Sequence, residues 1–338
     1  MHKHRATIAD VAKHAGVSIA TVSRVVNQTT TVSDEAAARV QASIAELKYK
    51  PHTAARSLAS RKTHTLGLVL PEISGEFFSP LLRGIEAVVR EAGYDLLIST
   101  QGQSNGRREA RRPLGEHNTD GLLVFTNYLD ETELTHLGRM GFPVVLLYRS
   151  APAALAIPCV TFENKDGSRR LVDHLIEAHG FRRIAFLAGP EDNEDSYWRE
   201  TGYRESLAAH GLPFDPTLVA VGGFDYQEAQ APVEHWLSEG IEMDAIFAGD
   251  DESATGVIEV IRRAGKRVPE DVAVVGFDDV PLSRHLNPPL TTVRAPIEMT
   301  GREAARQLVN LIRTGRADPL VLLPTELIVR NSCGCHGA

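Results

Sequence analysis

Strand-length apolar segments alternate with helical patterns throughout residues 66–338, and this alternation constrains the fold more than any other feature. The segments lie at 66–70, 94–99, 121–125, 144–147, 184–188, 245–248 and 272–277. Strands separated by helices of about 10–15 residues form parallel sheets with helices on both faces. One such sheet does not account for so long a segment. We therefore predict an α/β body of two doubly wound parallel-sheet lobes.

The charge is divided unevenly between the first 62 residues and the rest of the chain. The whole chain has 36 Lys and Arg against 44 Asp and Glu, a formal net charge of −8. Residues 1–62 nevertheless contain ten basic and four acidic residues, and so carry +6. A basic head on an acidic body indicates that the head binds a polyanion such as DNA.

The basic head has the pattern of a helix-turn-helix. Thr7 and Asp10 have the spacing of a capping box at the start of one helix, which Gly16 ends. Ser18 is placed to cap a second helix that runs to Asn27, and a third is predicted after Ser33. Two short helices around a tight glycine turn are typical of DNA-binding modules. An all-α head is therefore predicted before the α/β body.

The start of the second helix is the part of such a module that enters the major groove. The residues placed to contact DNA there are Ser18, Ile19, Ala20, Thr21 and Arg24. Ile19 and Ala20 are apolar where exposure is expected, which suits contact with thymine methyl groups. The alternative is a helical hairpin that packs on the body, and it leaves the basic charge of the head unexplained.

The residues from Thr7 to Asn27 resemble the signature of the lactose-repressor (LacI/GalR) family of bacterial transcription regulators. The run is TIxxVAxxAGVSxxTVSRVVN, and FDDV at 277–280 and PLTTV at 289–293 extend the likeness. The pair Ile19-Ala20 is more similar to the galactose-repressor branch. The resemblance implies a homodimer on palindromic operator DNA, and it adds further DNA-contact candidates: Thr7, Ser23, Asn27, Ala55, Arg56 and Leu58.

The resemblance also implies a division into domains. Residues 1–50 form the DNA-binding domain, 51–65 a hinge helix and linker, and 66–338 an effector-binding and dimerisation domain that resembles periplasmic sugar-binding proteins. The first lobe is expected at about 66–162 plus 292–324, and the second at about 163–291 plus 325–338. Leu58 matches the leucine that kinks operator DNA from the minor groove. The alternative for 51–65 is a flexible linker.

Ligands of open α/β sheets bind at the carboxyl ends of the strands, which here bring carboxylates, arginines and aromatic residues to one cleft. Carboxylates accept hydrogen bonds from sugar hydroxyls, and aromatic faces cover the apolar side of a sugar ring. Arg199, Asp250 and Asp278 match effector-binding positions of the family. The other candidates are Phe77, Phe78, Tyr148, Arg149, Trp198 and Phe224. Each of these residues has a structural alternative, as a helix cap, a local ion pair or a core residue.

Other functions remain open at the level of sequence. A purine or another non-sugar co-repressor is the alternative effector, since the same family includes purine-dependent regulators. A sugar-acting enzyme is a remote alternative, because paired acids at strand ends also occur in glycosidases, but no catalytic motif accompanies them. A transport receptor is disfavoured by the missing signal peptide, and we expect a cytoplasmic protein without a membrane segment. We expect free thiols in the tail Cys333-Gly334-Cys335-His336, and no metal or cofactor.

Overall fold

The computed structural model describes residues 6–27, 32–49, 62–100, 114–126 and 128–335. The chain divides into two units, Met1–His64 and Thr65–Ala338. The predicted hinge residues Ala55, Arg56 and Leu58 lie outside the described residues, and their roles stay predictions. Within the described ranges, no helix is both long and apolar enough to span a bilayer.

The first unit is the predicted helix-turn-helix. Its three helices are α1 (Ile8–Ala15), α2 (Ile19–Asn27) and α3 (Asp34–Glu46). The capping box at α1 is formed, because the Thr7 N–H donates to Asp10 at 2.8 Å and the Asp10 N–H donates to the Thr7 hydroxyl at 3.3 Å. Gly16 ends α1 with φ at 63°, which glycine adopts without strain. The small core of the unit consists of Val11, Ala12, Ala15, Val22 and Val40.

The second unit contains two six-stranded sheets with helices packed against them. The strands are β1 (Thr65–Leu70), β2 (Asp95–Thr100), β3 (Gly121–Phe125), β4 (Val144–Leu147), β5 (Cys159–Phe162), β6 (Ile184–Ala188), β7 (Val219–Val221), β8 (Ala245–Ala248), β9 (Ala273–Asp278), β10 (Thr291–Arg294), β11 (Leu320–Leu323) and β12 (Glu326–Ile328). The helices are α4 (Phe78–Glu91), α5 (Glu131–Arg139), α6 (Asn164–His179), α7 (Glu194–Ala209), α8 (Gln230–Ser238), α9 (Asp251–Arg263) and α10 (Ile297–Thr314).

The two sheets define two lobes of the same design. The first has the strand order β11-β5-β4-β3-β1-β2, and the second has the order β12-β10-β9-β8-β6-β7. Every pairing is parallel except β10 with β12, which is antiparallel. The doubly wound, two-lobed fold predicted from the sequence is confirmed. The chain crosses between the lobes three times, after β5, after β10 and between β11 and β12.

The second crossing differs from the sequence expectation. Residues 292–324 were expected in the first lobe, but β10 pairs with β9 in the second sheet, so the chain leaves that lobe only after Arg294. The pattern missed this strand because it begins with two buried threonines rather than an apolar run. The Thr292 hydroxyl donates to Asp251 at 2.6 Å, and this hydrogen bond offsets the cost of burying it.

A glycine allows the two helices beside the cleft to approach closely. A Cβ atom at Gly202 of α7 would lie 2.2 Å from the backbone oxygen of Lys165 on α6, so no larger residue fits without moving a helix. The Ser168 hydroxyl of α6 also donates to the backbone oxygen of Arg199 at 2.5 Å. This packing fixes the part of α7 from which Arg199 extends towards the cleft.

Candidate DNA-binding and effector sites

The candidate DNA-binding face lies at the start of α2 and is exposed in the structure. Ile19 is 52% exposed, and Ser18, Ala20 and Arg24 are also exposed, whereas Thr21 is half-buried. The Ser18 hydroxyl accepts from the Thr21 N–H at 3.1 Å and so caps the helix, as the sequence predicted. An exposed isoleucine at the first position of a helix contributes little to the core of the unit, so the surface is available for another molecule.

The remaining head candidates in the described residues are Thr7, Ser23 and Asn27. Thr7 is exposed at the N-terminus of α1, and Ser23 is half-buried on α2. Asn27 ends α2, but its side chain lies outside what the structure describes.

Arg199 is the centre of the candidate effector site. It extends from α7 and is only 2% exposed. Its guanidinium donates to the Asn164 side chain at 2.9 Å, to the backbone oxygen of Gly249 at 2.6 Å and to the Asp278 carboxylate at 3.2 Å. The guanidinium carbon also lies 3.9 Å from the ring centroid of Phe277. A single buried cation therefore joins α6, α7 and the carboxyl ends of β8 and β9.

Three buried aspartates surround this cation. Asp278 ends β9, Asp250 follows β8 and accepts from the Ser253 N–H at 2.9 Å, and Asp195 accepts from the Asn164 amide at 2.7 Å. Burial raises the pKa of all three carboxyls, that of Asp195 to about 6. The charges of Asp250 and its neighbours raise the pKa of Asp278 further, although Arg199 lowers it. The site therefore has more acidic groups than Arg199 alone neutralises.

An aromatic cluster extends from the first lobe to Arg199. Tyr148 lies at its centre, with ring centroids 5.6 Å from Phe77, 5.2 Å from Phe125 and 5.3 Å from Phe162. Phe162 stacks on Phe277 at 6.2 Å. Phe78 joins the cluster through Phe125 at 5.5 Å. The cluster forms an apolar wall beside the carboxylates.

The Tyr148 hydroxyl is buried in this wall. It has no partner with ordinary hydrogen-bonding geometry among the residues that the structure describes. Burial raises the pKa of Tyr148 well above its usual value, so the hydroxyl keeps its proton and acts as a neutral donor. The Thr300 side chain opposes this rise in pKa, so a polar group lies close to the hydroxyl, and a ligand oxygen is a further acceptor that suits it.

The other predicted effector residues are in different surroundings. The half-buried Phe224 ring fills the space beside Gly189 and Gly249, with Arg199 5.2 Å from its centroid. Trp198 is 39% exposed and donates to Glu194 at 3.2 Å. Arg149 donates to the backbone oxygen of Leu129 at 3.0 Å, within the first lobe. Of these three residues, only Phe224 lies against Arg199.

Sequence reasoning missed Asn164, Asp195, Phe125 and Phe162. Asn164 and Asp195 form a hydrogen bond with each other and lie next to Arg199. Asn164 is the first residue of α6 and Asp195 is the second residue of α7, and Asn and Asp are common at the starts of helices as caps. The signal in the sequence that could have identified these residues was their position at or just after the ends of strands. Asn164 lies two residues after the carboxyl end of β5, and Phe125 and Phe162 end β3 and β5.

Three hydrogen bonds, at two contacts between described residues, join the lobes at the edge of the cleft. The Leu282 N–H of the second lobe donates to the Glu76 carboxylate at 2.7 Å, and the Ser150 N–H and hydroxyl of the first lobe both donate to Glu194 at 2.6 Å. Asp278 also borders a cavity of about 390 Å³ that is lined by Arg83, Arg284 and Arg302 and by none of the other candidate effector residues, so this cavity is separate from the group around Arg199.

A helix-turn-helix unit on a two-lobed body with a polar cleft defines a ligand-responsive DNA-binding regulator. Comparison with known proteins supports this class. The family description "Bacterial regulatory proteins, lacI family" matches residues 7–52, and "Periplasmic binding protein-like domain" matches residues 172–333. The regulator CelR of Thermobifida fusca is 36% identical over 339 residues, which cover 98% of this chain and 99% of that protein.

Solved structures give the same result. A CelR–cellobiose complex is 34% identical with a TM-score of 0.71, and covers 97% of this chain and 100% of its own. A lac repressor dimer bound to operator and the anti-inducer ONPF is 28% identical with a TM-score of 0.81, and covers 98% and 99%. The chain belongs to the LacI family of bacterial transcription regulators. Members of this family are regulators rather than enzymes, while the galactose-repressor branch stays a prediction.

Proposed function

We propose that this protein is a cytoplasmic repressor of carbohydrate-utilisation genes that binds a palindromic operator as a homodimer and is controlled by a neutral sugar. The family supports DNA binding, and the relatives include a regulator solved with cellobiose and a repressor solved as a dimer on its operator. The effector class rests on the cleft of this chain, whose chemistry suits a polyhydroxylated ligand.

The observation that carries the proposal is the excess of buried acceptors beside an aromatic wall. Among the residues that the structure describes, Asp195, Asp250 and Asp278 share one cation, Arg199. Each carboxylate can accept hydrogen bonds from hydroxyl groups, and each bond stabilises the ionised form that burial disfavours. The aromatic rings beside them suit the apolar face of a sugar ring. A neutral sugar supplies both kinds of contact.

The same charges disfavour an anionic effector. A phosphate group would meet three carboxylates and one arginine whose donors are already directed at Asn164, Gly249 and Asp278. Like charges in a buried site repel strongly because little water screens them. We therefore expect unphosphorylated sugars to bind more tightly than their phosphates.

The route from cleft to DNA goes through the first lobe. The candidate polar residues Arg199, Asp250 and Asp278 lie in the second lobe, whereas the chain enters the first lobe at β1 directly after the hinge segment. A ligand held between the lobes changes how they contact each other at Glu76–Leu282 and Ser150–Glu194. It controls DNA binding only to the extent that it favours one lobe arrangement over another.

A ligand screen by thermal unfolding tests the effector class. Neutral mono- and disaccharides, the matching sugar phosphates and purine bases are compared on the full chain. At 100 times its dissociation constant, a ligand stabilises the body by about 2.7 kcal/mol, a clear rise in Tm. Stabilisation by a neutral sugar supports the proposal. Stabilisation only by a purine or a phosphate contradicts it.

Matched variants then place the sugar in the cleft. Asp250→Asn should reduce the shift produced by the sugar, because the amide lacks one acceptor oxygen and its charge. Glu239→Gln, which removes an exposed carboxylate from the surface of the second lobe, should leave the shift unchanged. Equal shifts in both variants would place the sugar elsewhere.

A further inference from the structure

Four metal-ligating side chains meet near the C-terminus of the described chain, far along α6 from the effector site. Two come from the end of α6 and two from the tail after β12. Together they form the tail cluster: His174, His179, Cys333 and Cys335. One nitrogen or sulfur atom from each residue lies within 4.8 Å of all the others. The cluster is not part of the effector site, because Asn164, which bonds to Arg199, lies at the opposite end of α6.

Three sulfur–nitrogen distances within the tail cluster are close to those of a tetrahedral metal site, and the other ligand distances are at most 4.8 Å. The Cys335 sulfur lies 3.3 Å from His179 Nε2 and 3.8 Å from His174 Nε2, and the Cys333 sulfur lies 3.6 Å from the same His174 nitrogen. Bonds of about 2.3 Å from zinc to sulfur and 2.0–2.1 Å from zinc to nitrogen place such ligands roughly 3.5 Å apart in a tetrahedron. The three sulfur–nitrogen distances in the tail cluster, 3.3, 3.6 and 3.8 Å, lie on both sides of the tetrahedral value of about 3.5 Å.

The surrounding backbone holds the two cysteines in position. Ser332, which precedes Cys333, is fully buried, and its N–H and hydroxyl donate to Pro289 and Val274 at 3.0 and 2.5 Å. Gly334 separates the cysteines with φ at 102°, a conformation that favours glycine and turns both sulfurs towards α6. The tail is therefore attached to the second sheet independently of any metal.

The neighbours of the cluster also resemble the outer shell of a metal site. The Thr291 hydroxyl donates to the Cys333 sulfur at 3.2 Å, the kind of contact that stabilises a thiolate ligand. The His179 ring stacks on Phe181 at 5.2 Å and is perpendicular to His174, so both rings are held in place. Cys333 is fully buried and the other three ligands are half-buried, which limits the access of water.

We propose that the tail cluster binds one zinc ion and that this site is structural. Two thiolates and two imidazoles form a complete ligand set that leaves no open position for a substrate. In a reducing compartment, cysteines and histidines so arranged are more typical of metal binding than of a disulfide. The ion joins the tail to the end of α6 and so stabilises the second lobe. The sequence led us to expect free thiols here.

Metal analysis of the full chain tests the proposal. The protein is produced without a histidine tag in zinc-supplemented medium and purified under reducing conditions without chelators. We expect about one zinc ion per chain, and loss of that ion in Cys333→Ser and in Cys335→Ser. Two controls should keep it: Cys159→Ala, whose sulfur is buried in the first lobe, and His235→Asn, which removes an exposed histidine of α8.

Cobalt substitution and unfolding give a second readout. Cobalt in a site with two thiolates absorbs visible light, and this absorption should appear in the wild type and in both controls but not in the cysteine variants. A chelator should lower the Tm of the wild type and not that of Cys335→Ser. Because Cys335 is only half-buried, Cys335→Ser is expected to fold, and its zinc content decides the test if Cys333→Ser does not fold. Absence of bound zinc in the wild type, equal zinc in the cysteine variants, or a Cys333–Cys335 disulfide under reducing conditions would overturn the proposal.

Discussion

The DNA-binding face and the effector cleft use their functional side chains in opposite ways. The candidate residues of the face lie within one short helix and are largely exposed, with Ile19 directed away from the core of the head. Those of the cleft come from six separate chain segments, and Arg199 and its carboxylate partners are almost completely buried. In the head, a side chain that contacts DNA can therefore be replaced with little loss of folding stability. In the cleft, the groups offered to a ligand also hold the lobe together.

Replacing Arg199 should lower the stability of the body more than the other single changes considered, because Arg199 both faces the ligand site and holds the second lobe together. Arg199→Met leaves Asp278 buried without its cation and frees the Gly249 oxygen, at a cost of about 3–5 kcal/mol in the free energy of unfolding. Denaturant unfolding of the body measures this loss in the free energy of unfolding. The matched control is Arg204→Met on the same helix, which loses a half-exposed ion pair with Glu200 and should cost less than about 1 kcal/mol.

A double variant sharpens this prediction. If the cost arises from the unpaired carboxylate, Arg199→Met with Asp278→Asn should be more stable than the sum of the two single changes implies. Additive losses would mean that the Arg199–Asp278 pair is not the contact that matters.

The head should show the reverse behaviour. Ile19→Ala with Ala20→Gly should lower affinity for the operator by roughly 10- to 100-fold, about 1.4–2.7 kcal/mol for the two changes together, while affinity for random DNA changes little. Binding titrations at fixed salt measure both. Val22→Ala is the control, because Val22 is fully buried and its truncation should destabilise the head and weaken binding to both DNAs. Equal weakening on both DNAs in the double variant would show that Ile19 and Ala20 do not read the sequence.

A smaller effect is expected on the pH dependence of the stability of the body. Burial raises the pKa of Asp195 to about 6, above its ordinary value of 3.8, so the folded state holds this proton more tightly than the unfolded state. The stability that the group contributes is complete below about pH 4 and is lost as the pH rises through about 6. Asp195→Asn should therefore reduce the fall in body stability between pH 5 and 7.5 by about 1 kcal/mol.

The control for this measurement is Asp215→Asn. The hydrogen bonds from Thr217 lower the pKa of Asp215, so this exposed carboxyl stays ionised over the same range and the variant should keep the wild-type pH profile. A profile for Asp195→Asn that matches the wild type would remove Asp195 from the account.

The same contrast explains what the sequence could predict. The head was predictable residue by residue, because the Thr7 cap, the Gly16 turn and the Ser18 cap all act within four residues of their own position. The two-lobed fold was predictable from apolar strands. The strand ends placed Asp250 and Asp278 at the cleft and the family resemblance added Arg199, and the role of these three residues in effector binding stays a prediction.

What could not be predicted depends on contacts between distant segments. Asn164 and Asp195 meet across 31 residues, and the tail cysteines meet His174 across about 160 residues, so no local pattern reveals either pair. The crossing after β10 was misplaced because Thr291 and Thr292 are buried polar residues, whose hydrogen bonds depend on the folded lobe.

We expect the binding of ligand in the cleft and the binding of operator DNA to the head to be coupled, and a titration measures this coupling. Operator affinity of the wild type and of Asp278→Asn is measured with and without a saturating concentration of the sugar that binds the wild type. We expect equal operator affinity for the two proteins without sugar. With sugar, the wild type should change its affinity by about 5- to 150-fold and the variant should not change. An identical change in both proteins would contradict the account.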